Sequence, residues 1–337
     1  MTREEPRDAR VLIERVFRAL ADGHFHSGEE LARQLGVSRS AVWKAAHKLR
    51  ALGSTLHAVR NRGYRLAGAG EPLDATLIRD GISRSLRARL RHIEVAWTVA
   101  STNSVLLERS APPPGECEAA LAEFQSAGRG RRGRTWLAPP GGAVCLSLSW
   151  TFAQMPRDVG SLSLAVGVCV LRALGKLGVR DLKLKWPNDV LVGDAKLGGI
   201  LIELRAEAAG PACAVIGIGL NVALGASLIA QIGATGLAAA DLSAAGTSPP
   251  ARNAIAAEVL DACLGGLLEF EREGLRAFMD EWRRADALRG RAVTVINGDE
   301  RTRGLARGID VSGALLVDAG HAVRKFVSGE VSVRPVA

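Results

Sequence analysis

A chain of 337 residues, 47% hydrophobic and 23% charged, has material for two or three buried cores and reads as a globular protein rather than a disordered or fibrous one. Its five cysteines (Cys117, Cys145, Cys169, Cys213, Cys263) are widely spaced, with no C-x-x-C pair and no neighbouring histidine cluster. That argues against a disulfide framework or a zinc site and fits a reducing compartment. The N-terminus, MTREEPRDAR, lacks the apolar stretch of a secretory signal, so a cytoplasmic protein is expected.

The net charge of +9 is unevenly placed, since residues 1–66 carry thirteen Lys and Arg against seven Asp and Glu. This end is expected to meet a polyanion. Here Val11, Leu12, Val16, Ala19 and Leu20 recur at helical spacing before Gly23. Ser27 and Glu30 form an S-x-x-E capping box ahead of Leu31, Ala32 and Leu35, and Gly36 makes the next turn. Ser38 then caps a third helix whose Val42, Ala45, Leu49 and Leu52 share one face.

Helix, glycine turn and basic helix predict a helix-turn-helix, and the alternating run Leu56–Leu66 around Asn61-Arg62-Gly63 predicts a wing. Ser38, Arg39, Ser40, Trp43 and Lys44 are the candidates to face base edges. Arg62, with Arg60 and Arg65, is placed to meet phosphates from the wing. The alternative is a winged helix used only for protein contacts. Residues 67–75, which include AGAGEPLD, read as a linker after this first domain of residues 1–66.

Residues 76–286 mix helical patterns, such as Ser161–Leu177, with apolar strand-like runs at Ala143–Trp150 and Ile200–Leu204, as in an α+β or α/β domain with a mixed sheet. The uncharged stretch Ala208–Ala240 is interrupted by Gly210-Pro211, Asn221 and Gln231, and reads as a strand ending in a loop rather than as a membrane span. The central motif is QSAGRGRRGRTW, Gln125–Trp136, with three glycines and four arginines between Gly128 and Arg134.

Such a loop can wrap an anion, because glycine lets backbone amides converge while guanidinium forks bind phosphate or carboxylate. A solvated or RNA-binding arginine run is the bland alternative. Gly128, Gly130 and Gly133 match G-x-G-x-x-G, but they lead into Trp136 and Pro139-Pro140-Gly141-Gly142 instead of a helix, so a dinucleotide fold is not predicted; no phosphate-loop motif occurs. Lys185-Trp186-Pro187-Asn188-Asp189, a Gly193-Asp194 turn and Lys196-Leu197-Gly198-Gly199 predict a hairpin that brings Lys185 and Lys196 together. Gly217-Ile218-Gly219-Leu220-Asn221 predicts a strand end open to close ligand approach. Residues 287–337 alternate in short runs with turns at Asn297-Gly298-Asp299, 310–313 and Ala319-Gly320, the spacing of a small β-barrel.

Taken together, STN at Ser101–Asn103, QSAGRGRRGR, KWPND, KLGGI, GIGLN and the closing GEVSVR resemble the biotin–protein ligase family. With its helix-turn-helix, including GHFHSGEEL, the chain resembles the bifunctional bacterial form that is both biotin ligase and biotin operon repressor. The resemblance implies a winged helix-turn-helix, a central ligase domain similar to class II aminoacyl-tRNA synthetases and an SH3-like C-terminal barrel.

It also implies the chemistry: the biotin carboxylate attacks the α-phosphate of Mg·ATP, and a lysine of a biotin carboxyl carrier protein then attacks biotinyl-AMP. By the same resemblance Ser101, Thr102, Asn103 and Gln125 contact biotin, Arg129, Gly130 and Arg131 close over biotin and its adenylate, and Lys196 holds the carboxylate and acyl phosphate. Arg132, Arg134, Trp136, Lys185, Asn188, Asp189, Asn221 and Arg334 would serve ATP or the adenylate, with Asp189 also the candidate Mg²⁺ group. Arg334 shares the final motif with Glu330.

The arginine loop, having like charges and no apolar anchor, is expected to be mobile until the adenylate orders it and favours a homodimer on operator DNA. Rivals are a biotin-sensing regulator without ligase activity, a lipoate ligase, and a ligase whose helix-turn-helix regulates nothing.

Overall fold

The computed structural model describes residues 7–67, 71–206, 211–234, 238–245, 248–328 and 331–335, so Glu330 lies outside the described residues. The N-terminal unit comprises α1 (Arg7–Leu20), α2 (Gly28–Leu35), α3 (Arg39–Ala51) and a two-stranded wing, β1 (Leu56–Val59) and β2 (Gly63–Leu66). Ser27 accepts from the Glu30 amide and Ser38 from the Ala41 amide, so both helix starts are capped as their sequences imply. The buried face of α1 differs from the expectation. Val11 is half exposed, and Ile13, Val16, Phe17 and Leu20 form the stripe that packs on Leu31, Val42 and Leu49. The spacing i, i+3, i+4, i+7 was present, but with two adjacent apolar pairs the register could be read one residue early.

The wing turns at Asn61 and Gly63, both with positive φ, and a methyl group at Gly63 would overlap the His26 carbonyl. Arg62 and Arg65 lie over the Phe25 ring at 4.3 and 5.0 Å, and the Nε of Arg65 is buried. Arg65 is therefore part of the wing's packing rather than a free phosphate contact, whereas Arg60 and Arg62 stay exposed.

The central domain holds α4 (Ala75–Gly81), α5 (Arg84–Arg87), β3 (Leu90–Val99), α6 (Thr102–Leu107), β4 (Cys117–Gln125), β5 (Ala143–Phe152), α7 (Leu162–Lys176), β6 (Leu182–Lys185), β7 (Asp189–Val192), β8 (Ala195–Ala206), β9 (Ala212–Asn221), α8 (Ala226–Gly233), α9 (Arg252–Glu273) and α10 (Met279–Ala285). Its seven strands form one sheet in the order β3-β4-β5-β9-β8-β7-β6, antiparallel except for β3 beside β4.

Because side chains alternate across a sheet, each strand feeds two environments. Val144, Leu146, Leu148 and Trp150 of β5, with Ile216 and Ile218 of β9, point into a core closed by α7 and α9. The helical run Val159–Lys176, made of α7 and the turn before it, is apolar and long enough to cross a membrane but is mostly buried in that core. The opposite face presents Ser147, Gly217 and Gly219, and the short α6 covers part of it, through Leu106 against Ala120 and Val215.

The segment read as a linker is pinned at its far end. Leu73 is buried, its amide donates to Glu123 of β4, and Asp74 caps α4. Arg252 of α9 donates to both Glu123 oxygens (2.7 and 3.1 Å) and to the Glu71 carbonyl; both side chains of the pair are 2% exposed. Residues 68–70, between this anchor and β2, lie outside the described residues.

The two units also touch directly. Phe17 of α1 packs on Trp97 of β3 with ring centroids 5.1 Å apart, and the buried Ser54 hydroxyl donates to the Pro140 carbonyl. Gly225 sits against Thr55, leaving no room there for a methyl group. At the C-terminus, β10 (Ala292–Asn297), β11 (Glu300–Ile309), β12 (Leu315–Asp318), β13 (Val323–Phe326) and β14 (Val331–Pro335) form an antiparallel sheet ordered β13-β12-β11-β10-β14. Its Val293, Val295, Leu315 and Val317 share the central core, and the Trp186 indole N–H donates to the Gly313 carbonyl. The motif KWPND is thereby tied to the barrel.

Candidate adenylation site

The open sheet face holds a polar nest at the start of α6. Ser101, Thr102 and Asn103 are all buried, although Ser101 makes no side-chain capping bond to its helix. Capping therefore does not account for Ser101. The Gln125 side-chain oxygen accepts from the Thr102 amide at 2.8 Å and lies 3.2 Å from its hydroxyl. Ser147 lies 2.7 Å from the Thr102 hydroxyl and donates to Asn103 Oδ1 at 2.5 Å, while Asn103 Nδ2 donates to Glu203 at 2.8 Å.

The Asn103 carboxamide crosses β9 at Gly217, which is opposite Ser147 on one side and Leu201 on the other. A methyl group at Gly217 would overlap the carboxamide. Gly217→Ala is accordingly expected to displace the Asn103 carboxamide and to cost about 1–3 kcal/mol of stability, as overpacking a filled site does; urea unfolding measures it.

The arginine loop closes on itself. The Gly130 amide donates to the Arg134 carbonyl and the Trp136 amide to the Gly128 carbonyl, with Arg132 and Gly133 at positive φ forming the tip. Contrary to the expectation that nothing anchors it, Trp136 packs over Gly219, and a side chain at Gly219 would collide with the indole. Its indole nitrogen is buried beside the Cys145 thiol. Two arginines tie the loop to opposite walls. Arg129 reaches Glu203 (3.0 Å) and Ser104 (3.3 Å), and Arg131 reaches Asn188 Oδ1 (3.4 Å). Gly130 is half-buried between them, whereas Arg132 and Arg134 are exposed.

On the far wall the β7–β8 hairpin brings the second set together. Lys196 Nζ is 2.5 Å from Asp189 Oδ1 and 5.8 Å from the centre of the Trp136 ring. Lys185 is opposite Asp189 across β6 and β7. Burial pushes the Lys185 ammonium below its ordinary range; Asp189 opposes this, while Lys196, Arg134 and Arg334 add to it. Arg131 is lowered by burial, with Asp189 acting against the shift. One carboxylate thus faces a cluster of cations, a site with unspent positive charge for a polyanion.

Asn188 and Asn221 each have their amide nitrogen engaged by the protein backbone. Asn188 Nδ2 donates to the Ile200 carbonyl, stitching β7 to β8. Asn221 is buried and its Nδ2 donates to the Ala240 carbonyl, although its Oδ1 has no protein partner. Residues 238–240 in turn bracket Lys196, accepting from its amide and donating to its carbonyl. Cys145, on the same face as Ser147, has its thiol pushed up to about 12 by burial and so stays protonated. Sequence reasoning missed Ser147, Ser104 and Glu203. The alternating serines inside AVCLSLSWTF and a lone acid inside ILIELRA were the available signals, polar groups among largely apolar neighbours.

In the winged helix, Ser38, Arg39, Ser40, Trp43 and Lys44 are exposed along the start of α3, with Trp43 stacked on His47.

Comparison with known proteins gives three matches along the chain. Residues 96–221 match the biotin/lipoate A/B protein ligase family, residues 14–65 an HTH domain and residues 289–334 the biotin protein ligase C-terminal domain. The bifunctional ligase/repressor BirA proteins of Salmonella typhimurium and Escherichia coli are each 37% identical over 321 residues, covering 94% of this chain and 95% of theirs. The biotin protein ligase of Aquifex aeolicus, solved with biotin and ATP, superposes with a TM-score of 0.62 at 26% identity, covering 73% of this chain and 100% of that one. With its winged helix, two-faced central sheet and terminal barrel in this order, the chain belongs to the family of bifunctional biotin–protein ligase/repressors.

Proposed function

We propose that this protein joins biotin to ATP, forming biotinyl-5'-AMP and pyrophosphate, then transfers the biotinyl group to a lysine of a carboxyl carrier protein, and that it also binds an operator as a biotin-responsive repressor. The observation that carries the reading is the adjacency of two environments: the buried hydroxyl and amide nest of Thr102, Asn103, Gln125 and Ser147, and the cationic wall of Lys185, Lys196 and Arg131. A ureido ring needs paired donors and acceptors in a dry pocket, and a triphosphate needs cations.

In the first step the biotin carboxylate oxygen bonds to the α-phosphorus and the bond to the β,γ-pyrophosphate breaks. In the second, the acceptor amine attacks the acyl carbon, AMP leaves with the bonding electrons, and the amine proton is lost to solvent. No enzyme nucleophile is needed, which agrees with the protonated, buried Cys145. Lys196 holds the carboxylate and then the acyl phosphate, Lys185, Arg132, Arg134 and Arg334 oppose the phosphates, and Trp136 offers its indole to the adenine. Catalysis rests on positioning and charge stabilisation.

Among the described residues no three acidic, cysteine or histidine side chains gather as a metal site. Asp189, which pairs with Lys196, would be the hard oxygen donor for a magnesium ion brought by ATP, and the ion would offset phosphate charge there. Biotin-dependent ATP–pyrophosphate exchange tests the reading, and its absence from folded protein would sink the ligase assignment.

For the other activity, a cytoplasmic homodimer would present two α3 helices to paired half-sites. Arg39→Ala with Lys44→Ala is expected to lower operator affinity at least tenfold and flatten its salt dependence, leaving exchange unchanged. Electrophoretic mobility shifts at two salt concentrations check this.

A further inference from the structure

Glu203 is half-buried on β8, on the sheet face that carries the polar nest. Its Oε2 accepts from two donors that belong to different parts of the site: Asn103 Nδ2 of the nest at 2.8 Å and Arg129 Nη2 of the arginine loop at 3.0 Å. We propose that Glu203 is a positioning residue that latches the arginine loop to the biotin nest, so that one carboxylate sets both the orientation of the Asn103 amide and the closure of the loop stem. The inference rests on the biotin ligase reading of this site.

The chemistry of the amide gives the first half. With Ser147 donating to its Oδ1 and Glu203 accepting from its Nδ2, Asn103 has one satisfied orientation. Turning it over would set its oxygen against the Glu203 carboxylate, two acceptors with no proton between them. Gly217 leaves just the space in which this locked amide rests. The second half follows from charge. Arg129 stands at the entry of a loop holding four arginines, which repel one another, and Glu203 is the acid bonded to it. A charge-assisted bond at this stem fixes where the loop leaves the sheet, while Ser104 offers a weaker neutral contact at 3.3 Å.

The test compares wild type with Glu203→Gln and Glu203→Asp in the full-length protein. Gln keeps the size of the side chain but loses the ion pair; Asp keeps the charge on a shorter stem. Limited trypsin digestion without ligands reads the latch alone: cleavage after Arg129, Arg131, Arg132 and Arg134 is expected to be several-fold faster in Glu203→Gln, with cleavage elsewhere unchanged. In biotin-dependent exchange, the KM for biotin should rise about tenfold or more, the loss of a charged hydrogen bond, with kcat falling much less and Glu203→Asp recovering part of the loss. Wild-type loop cleavage together with a biotin KM within twofold of wild type in Glu203→Gln would overturn the proposal. Absence of exchange from the wild type would defeat the ligase reading instead, and the trypsin comparison would still decide whether the latch exists.

Discussion

Lys196→Ala is expected to lower biotin-dependent ATP–pyrophosphate exchange on the order of a hundredfold to a thousandfold, the range seen when one preorganised charge partner of a transition state is removed. Three observations single out this lysine. It is bonded to Asp189 at 2.5 Å, it lies by the Trp136 ring, and its backbone is clamped on both sides by residues 238–240. Its ammonium is therefore held in place before substrate arrives, and little reorganisation is left for the reaction. Removing it also leaves Asp189 facing the incoming phosphates with one cation fewer to offset it, so the loss should appear in kcat as well as in the KM for ATP. A Lys196→Ala variant that melts as wild type does and exchanges at more than a third of its rate would remove Lys196 from the chemistry.

The second large effect concerns stability. Glu123 and Arg252 form an ion pair that is 98% buried on both sides, judged by side-chain exposures of 2% and 2%. Arg252→Ala should cost about 3–5 kcal/mol, since it strands a carboxylate in the interior and releases the Glu71 carbonyl. Replacing both partners together, Glu123→Leu with Arg252→Met, should cost less than the single change, because no uncompensated charge remains. Urea unfolding of Arg252→Ala and of the double variant, followed by far-ultraviolet circular dichroism, checks the ordering; a double variant less stable than Arg252→Ala would contradict it.

Much of this arrangement was legible in the sequence because it is local. Capping serines, glycine turns and the Lys185 to Lys196 hairpin depend on residues a few positions apart, where propensity and period act directly. The arginine loop was legible as an anion-binding candidate for the same reason, but the groups that secure it were not. Arg129 meets Glu203 and Arg131 meets Asn188 across gaps of 74 and 57 residues, and the loop's own composition cannot name acceptors supplied by distant strands. Hence it read as an unanchored run of like charges. Asn188 and Asn221 add a feature that their motifs did not disclose: the Ile200 and Ala240 carbonyls, the latter 19 residues on from Asn221, take their amide nitrogens. The Glu123–Arg252 pair, joining β4 to α9 across 129 residues, left as its trace only one of two acids in a largely apolar strand.

The contacts of Phe17 with Trp97, of Ser54 with Pro140 and of Thr55 with Gly225 have a thermodynamic consequence. A small winged helix on a free tether would melt by itself, at a temperature indifferent to whatever the rest of the chain binds. Seated on β3 and on the turn that follows the arginine loop, it shares an interface that must be broken before it unfolds. Ligand that stabilises the central domain by mass action therefore also protects the DNA-reading helix. Heat capacity recorded through the transition would show the two as one cooperative unit, shifting upward together as biotin and ATP are added.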